Sequence, residues 1–452
     1  MSSHAYLDAS PPAYNGPRDQ LDKSAFHKTL SVLAARVPPS RTGRILKAQP
    51  LKGTIMDLPK IRSVVSDREN PDGDRLVLLR IANKADIPPE AQQYLEQETH
   101  GLVDHKIELD YDYWTADDIM QKVLPEGLRE GAPSGFAMTG HLAHVNLLDE
   151  YLPYKYLIGQ LILDKNKKVR TVVNKLNTID NQFRVFKMEV IAGEPDCVVE
   201  HHESDCRFTF DFSQVYWNSR LHTEHERLVR QFEPEDMVAD VFAGVGPFAV
   251  PAARKGCAVL ANDLNPASHK YLEKNVHDNR VTDLVRTSCE DGREFIRMVA
   301  KRTYDNPLPP FTGPPLSKTQ QEKEKRRARE VKQTLGASLD VESQPRRRIS
   351  HFVMNLPDTA ILFLDAFRGI LAPNGDHNMA ATYEVMPMVH CHCFTRELEP
   401  HKAEADIRQR VEEQLGAPLE DDVSLHLVRS VAPNKEMYCI SFRLPRAVGF
   451  NT

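Results

Sequence analysis

The residues with the clearest capacity for chemistry lie in the second half of the sequence. Asp240-Val-Phe-Ala-Gly244-Val-Gly246-Pro-Phe248 is a glycine-rich turn between an apolar run and a helical pattern. Glycines there let the backbone approach a ligand, and the N-terminus of the following helix can face its polar groups. Gly244, Gly246 and Ala249 also fit G-x-G-x-x-A, with Asp263 in the range of a ribose-binding acid, so a dinucleotide is one candidate ligand. Glu224 is a candidate proton acceptor, although Arg227 three residues on makes a helix-face ion pair the simpler reading of that carboxylate. His390-Cys391-His392-Cys393 offers metal-ligating types. In a strand, however, the histidines face one way and the cysteines the other, so no metal is expected.

Neighbouring residues favour S-adenosylmethionine (AdoMet) over a dinucleotide. Asp240 precedes the turn, where an acid can stand near the methionine end of that cofactor. Asp263, at a strand end in Asn262-Asp263-Leu264-Asn265-Pro266, can accept both ribose hydroxyls. Glu290-Asp291-Gly292 resembles the third sequence element of AdoMet methyltransferases, which contacts adenine, and Asn355-Leu356-Pro357, after the fourth strand, resembles the fourth, where target chemistry occurs.

A glycine turn has meaning only where a strand feeds it and a helix leaves it. Met237–Val241, Ala258–Asn262, Ser350–Met354 and Met388–Phe394 read as strands, with helices at Pro266–Val276 and Thr359–Ile370. That alternation predicts an α/β, doubly wound, mostly parallel sheet. Helix Ala403–Leu415 and the extended runs Val423–Arg429 and Met437–Arg443 would close it with an antiparallel pair. Upstream, the strand-like runs Gly140–Leu147, Thr171–Lys175 and Phe183–Ile191, with a helix near Tyr151–Lys165, predict a compact α+β domain. Arg75–Ile81 is a strand candidate, Leu124 to Gly135 a linker, and Leu21–Val37 an amphipathic helix through Phe26, Leu30 and Leu33. The expected domains are an N-terminal extension (1–44), a small mixed domain (45–130), an α+β middle domain (131–215) and a C-terminal Rossmann-like domain (216–449). Lys301–Arg348, with Pro307, Pro309, Pro310, Pro314, Pro315 and the charge run Glu322–Glu330, reads as a disordered insertion.

The chain has 452 residues, ample for several domains, and a formal net charge of -6. Contact with RNA therefore has to come from local basic patches such as Lys165–Arg170. The seven scattered cysteines contain no C-x-x-C, which argues against a disulfide framework or a zinc ribbon. No apolar run is long enough for a transmembrane helix, so no membrane partner is expected. Residues 1–17 lack the basic and apolar regions of a secretory signal, and Asp8, Asp19 and Asp22 weaken a mitochondrial presequence.

Phe212-Ser-Gln-Val-Tyr216-Trp-Asn-Ser-Arg220-Leu-His-Thr-Glu224-His-Glu-Arg227 closely resembles the signature of the archaeal and eukaryotic tRNA (guanine(37)-N(1))-methyltransferases. So do Asp240–Phe248, Asn262–Pro266 and Met354-Asn-Leu-Pro357, and, upstream, Gly140–Asn146, Thr171–Lys175 and Phe183–Glu194. The resemblance runs from about Ser134 to the C-terminus, outside Lys301–Arg348. It implies a class I methyltransferase fold, AdoMet as cofactor, tRNA as partner, and an N-terminal domain that touches the tRNA elbow. The reaction it implies is methylation of N1 of the guanosine beside the anticodon. Because N1 carries a proton, the site needs a base, a group to hold charge developing on O6, and in-line placement of the methyl. By resemblance Glu224 is the base, Arg184 stabilises O6, and Asn355 orients target and cofactor. Tyr216, Arg184 and Pro357 would contact the target. His225, Asp240, Gly244, Gly246, Asp263, Leu264, Asp291, Gly292 and Asn355 would hold AdoMet, with His225 standing where archaeal members have arginine. A monomer working in the mitochondrial matrix, nucleus and cytoplasm is the family expectation. Three rival readings are aminocarboxypropyl transfer to the same base, as in the wybutosine pathway, an NAD-dependent oxidoreductase, and a non-catalytic tRNA-binding protein, against which Glu224 and Arg184 argue. Arg184, Glu224 and Asn355-Leu356-Pro357 favour methyl transfer over the first.

Overall fold

The computed structural model describes residues 7–17, 19–67, 73–133, 135–179, 183, 185–311, 313, 344–372 and 378–451, with the backbone alone for 177–179. Contacts within the chain divide it into two compact units, Met1–Lys175 with Glu189–Pro195, and Leu176–Met188 with Asp196–Thr452.

The first unit opens on a four-stranded sheet of β1 (Lys28–Val37), β2 (Val64–Ser66), β3 (Arg75–Leu78) and β4 (Leu102–Leu109), in the order β2-β3-β1-β4. Strand β1 corrects the expected helix over Leu21–Val37. Leu30, Val32 and Ala34 enter one apolar core while Leu33, Ala35 and Val37 enter another. Both faces of the strand are covered, so the apolar/polar alternation that reveals a half-buried strand is absent. A second sheet takes β5 (Ala137–Thr139), β6 (Leu142–Val145), β7 (Thr171–Ile179) and β8 (Phe186–Gly193) in sequence order. The helix near Tyr151–Lys165 is present as Lys155–Lys165. One apolar core draws residues from Leu21 to Ile191, across the boundaries at 44 and 130 expected from sequence. The stretch read as a linker carries the short helix Glu126–Arg129 and the buried Leu124.

The second unit begins with an antiparallel hairpin, β9 (Val198–Glu203) and β10 (Cys206–Asp211). Its main sheet has seven strands: β11 (Met237–Asp240), β12 (Ala258–Asn262), β13 (Val285–Ser288), β14 (His351–Met354), β15 (Met388–Thr395), β16 (Ser424–Ala432) and β17 (Lys435–Arg443). The order is β13-β12-β11-β14-β15-β17-β16, with β11 to β15 parallel and β17 antiparallel to both neighbours. The strand order reverses between β11 and β14. In open α/β sheets the carboxyl ends at such a reversal leave a crevice for ligands.

Two further expectations change. Thr359–Ile370 forms a 3-10 helix over Ala360–Phe367, and its buried Ile361, Leu364 and Phe367 recur at the three-residue period of that helix. The segment read as a disordered insertion is ordered at both ends. Lys301–Asp305 completes the helix Gly292–Asp305, Leu308 is buried in the sheet's core, and Leu308 and Arg346 exchange backbone hydrogen bonds. Residues 314–343, with the charge run, lie outside the described residues. Among the described residues, no helix is long and apolar enough to cross a membrane.

Arg346 donates to the carbonyls of Pro309, Pro234 and Gly256, joining the segment to two loops of the sheet domain. Arg346→Ala leaves those carbonyls without a charged donor and is expected to lower stability by about 1.5–3 kcal/mol. Equilibrium urea denaturation checks this, and an unchanged midpoint contradicts it.

Candidate active site

The helix His222–Gln231 turns Glu224, His225, Leu228 and Val229 inward. Glu224 is only 2% exposed; two side chains hydrogen-bond to it and a third stands near. Arg227 donates through Nε to Oε2 at 2.6 Å and through Nη2 to Oε1 at 2.7 Å. His392 Nε2 lies 2.7 Å from Oε1, and His426 Nε2, on the half-exposed strand β16, is 3.7 Å from Oε2. Burial pushes the carboxyl up, but the hydrogen bonds of Arg227 and His392 outweigh it and hold Glu224 at about 2. His392 is raised in turn. Burial opposes its charge, and the Cys439 sulfur and the Glu224 carboxylate prevail.

Strand alternation places these partners as expected. His390 and His392 share one face of β15, while Cys391 and Cys393 enter the apolar core on the other. On β17, Cys439 pairs with His392 and Ser441 with His390, and His390 Nδ1 lies 2.8 Å from Ser441 Oγ. Glu224, His392 and Cys439 offer ligand atoms within 4.8 Å of one another. Arg227 already donates to both carboxylate oxygens, so a cation would have to displace a guanidinium, and the donor set does not suit one.

The glycine turn leaves the carboxyl end of β11. Gly244 has φ +56, and a Cβ added there would meet nothing within 4 Å, so its flank is open to a ligand. Gly246 serves packing instead, because a Cβ would come within 2.9 Å of Leu272. Asp240 is fully buried, and neither carboxylate oxygen has a partner. Burial and the charge of Asp263 push it up to about 8. Asp263 is also raised, by burial, although Oδ2 accepts from Gly244 N at 2.8 Å and Oδ1 from Asn265 N at 2.9 Å. Asn262 joins three strand ends, donating to the carbonyls of Val241 and Glu290 and accepting from Ser288 and from Glu290 N.

The remaining sequence candidates divide. Asn355 follows β14 and leaves its buried Oδ1 without a partner. Gly292 stands where a Cβ would be 2.8 Å from Phe242, while Asp291 caps the helix it opens by accepting from Arg293 N. Leu264 is 42% exposed and Tyr216 44%, both available to a ligand. Pro357 accepts a backbone hydrogen bond from Phe394. His225 is buried, with Nδ1 2.6 Å from Glu203 Oε1 and its ring edge-on to Phe248 at 4.7 Å. Phe248 also lies 5.8 Å from His392, so the glycine turn and the Glu224 cluster are neighbours. Arg184 lies outside the described residues. Sequence reading missed Glu203, which arrives from the β9–β10 hairpin; its one signal is the chain reversal at Ser204-Asp205, both at positive φ.

The sequence model of the TRM5/TYW2 methyltransferase domain matches residues 199–306, and that of the TYW2 N-terminal domain matches residues 116–196. The chain is 62% identical over 451 residues to a tRNA (guanine(37)-N(1))-methyltransferase of Coprinopsis cinerea, covering 99% of this chain and 98% of that one. The enzyme of the same name from Saccharomyces cerevisiae is 42% identical over 480 residues, covering 97% and 95%. Among solved structures, Trm5b of Pyrococcus abyssi shares the fold with a TM-score of 0.56 at 21% identity, covering 91% of this chain and 99% of that one. The aTrm5 of the aTrm5–tRNALeu complex gives 0.58 at 18%, covering 91% and 100%.

Asp240 gives this site a pH signature. Its folded pKa of about 8 lies above the ordinary 3.8, so between those values the folded chain keeps a proton that the unfolded chain releases. Its contribution is present below about 4 and is lost as pH rises toward 8. Asp240→Asn should therefore flatten the fall in stability from pH 5 to 8, by up to about 1.4 kcal/mol per unit. Denaturation series of both proteins across that range check it; parallel curves contradict it.

Proposed function

The chain belongs to the tRNA (guanine(37)-N(1))-methyltransferase family and methylates N1 of guanosine at tRNA position 37; from that premise we propose which residues carry the reaction. AdoMet, seated on the turn after β11, would supply a sulfonium-activated methyl group. The residues present suit it. The two unpartnered oxygens of Asp240 match a cationic methionine end, which would draw off the proton that burial keeps on that acid. Each oxygen of Asp263 accepts one backbone N–H, the Ser268 hydroxyl also bonds to the carboxyl, and the remaining acceptor capacity would serve the ribose diol. The open flank of Gly244 admits close approach. Leu264, Asp291, Gly292 and His225 complete the cofactor contacts, with His225 held in place by Glu203.

Guanine N1 becomes a nucleophile when its proton leaves, and Glu224 is the acceptor in this reading. The proton would move from N1 to the Glu224 carboxylate, leaving the N1 electron pair to take the methyl group that AdoMet would supply. The observation that carries the reading is the place of Glu224, a carboxylate buried beside the glycine turn with Arg227 bonded to both its oxygens and His392 2.7 Å from one of them. At about 2 it is always ready to accept but weakly basic, so a hydrogen bond to it has to open as the target arrives. Arg227, with a 24% exposed side chain, is the partner that solvent reaches, whereas His392 has no exposed surface. Asn355, with an unpartnered oxygen at the end of β14, orients the target. Tyr216, 44% exposed, would stack on an extruded base, and Pro357 would line the target side. Arg184 keeps the O6 role that the family resemblance gives it.

Incubation of the protein with AdoMet and a tRNA transcript, followed by nucleoside mass analysis, tests the reaction. One added methyl on guanosine 37 supports it, whereas an aminocarboxypropyl adduct would replace it with the wybutosine-pathway reaction. Glu224→Gln keeps the side chain's shape and removes the base. Single-turnover methylation should slow roughly 10²–10⁴-fold with little change in AdoMet affinity. A near wild-type rate sinks the base assignment. Asp263→Ala should weaken AdoMet binding by about 1.5–3 kcal/mol in calorimetry, and unchanged affinity in a folded variant refutes the ribose assignment.

A further inference from the structure

Glu224 and Arg227 sit one helical turn apart and form a parallel two-bond fork, Nε to Oε2 and Nη2 to Oε1. The other partners of the carboxylate are fixed or turned away. His392 has no exposed side-chain surface and belongs to the interior strand β15. Cys439 is buried on β17, beside His392. The approach from solvent is flanked by Arg227, with 24% of its side chain exposed, and by His426, with 48% exposed. A base that reaches Glu224 from solvent therefore meets Arg227 at the same moment.

The Watson–Crick edge of guanine presents N1–H beside O6, a donor next to an acceptor. The Glu224–Arg227 fork presents the complement, a carboxylate oxygen beside a guanidinium N–H. When N1–H meets the carboxylate, O6 comes beside the guanidinium, one of whose bonds to Glu224 has been displaced. We propose that Arg227 is a further catalytic residue, a second donor to O6 beside the one the family resemblance gives Arg184: its guanidinium holds Glu224 in the resting protein and passes to guanine O6 as Glu224 takes the N1 proton. This rests on Glu224 being the base.

Charge accounting supports the exchange. Before the step the site holds the Glu224 carboxylate and the Arg227 cation against a neutral guanine. After the proton moves, Glu224 is neutral and the negative charge is shared by N1 and O6, while arginine stays charged throughout. Net charge is unchanged, so the cation that lost its carboxylate gains the O6 anion without entering or leaving the site. The guanidinium only exchanges one partner for its neighbour, so no counter-ion has to be brought in from solvent. The other titratable groups facing the pair are His392 on β15, His426 on β16 and Cys439 on β17. His426 is lowered by burial and by the Arg227 charge, so it does not compete as a cation.

The test is single-turnover methylation of a tRNA transcript at saturating AdoMet by Arg227→Met, Arg227→Lys, Glu224→Gln and the Arg227→Met/Glu224→Gln double variant, as pH is raised toward the N1 pKa of guanine itself. Arg227→Met is expected to be slower by roughly 10²–10³-fold, the usual cost of removing one donor to a developing oxyanion. Arg227→Lys should recover part of the rate. Raising the pH should rescue Glu224→Gln, because solvent then removes the N1 proton, but should not rescue Arg227→Met. The double variant should be slower than Glu224→Gln alone. The proposal is overturned if Arg227→Met works at the wild-type rate, if its deficit disappears with rising pH, or if it slows nothing further in the Glu224→Gln background. That last result would make Arg227 only a support for Glu224. If Arg227→Met does not fold, the lysine variant decides by the same criteria: a pH-independent deficit supports O6 contact and a wild-type rate overturns it. A fully active Glu224→Gln would remove the base reading, and a pH-independent Arg227→Met deficit would still support contact with O6.

Discussion

A buried carboxylate that stays charged is costly unless donors surround it, and the catalytic half of this chain is organised around meeting that condition for Glu224. Arg227 comes from the same helix face, His392 from β15, His426 from β16, and Cys439 from β17 beside His392. Three of these four lie in the antiparallel closing part of the sheet or on the strand it joins. Reversing β17 against β15 places Cys439 opposite His392 and Ser441 opposite His390, so the polar face of β15 meets polar residues while its cysteines fill the core. The closing hairpin is thus part of the active centre as well as the end of the sheet.

The cofactor edge depends on a second condition, that five parallel strands end together. For three of them Asn262, at the end of β12, secures it by spending its whole side-chain hydrogen-bonding capacity on the ends of β11 and β13 and the loop that follows β13. With those ends aligned, Asp240 and Asn355 each leave buried oxygens unpartnered at the switch point. Unsatisfied buried polar atoms are uncommon in a native protein, and a ligand with matching donors is the simplest account of both. Phe248 then couples the two conditions, since its ring touches His225 on one side and His392 on the other.

Much of this was legible in the sequence because it obeys local rules. The strand–turn–helix context of Asp240–Phe248, the β-α alternation and the opposite facing of His392 and Cys393 all follow from periodicity and turn chemistry. The i+3 pair of Glu224 with Arg227 was equally legible, and its meaning was not. As a surface pair it competes with a catalytic role; buried and shared with His392, it becomes the device that keeps the carboxylate ionised. What escaped depends on long-range packing. Strand β1 hides because two cores cover its two faces, and the Glu203–His225 bond joins residues 22 positions apart through a hairpin that carries no strong pattern. Leu308 and Arg346 look like parts of a polar insertion until the sheet edge that holds them is in view.

The most direct test of the central claim is the ionisation of Glu224 in the tRNA-free protein. Carbon-13 carboxyl NMR of glutamate-labelled wild type, with Glu224→Gln supplying the assignment by difference, reports that single group as the pH is lowered. The account predicts a carboxylate that remains ionised down to pH 4, because Arg227 and His392 hold it at about 2. A Glu224 resonance that titrates near neutral pH would contradict it, for the carboxyl would then be a buried neutral acid and the clasp described here would not exist.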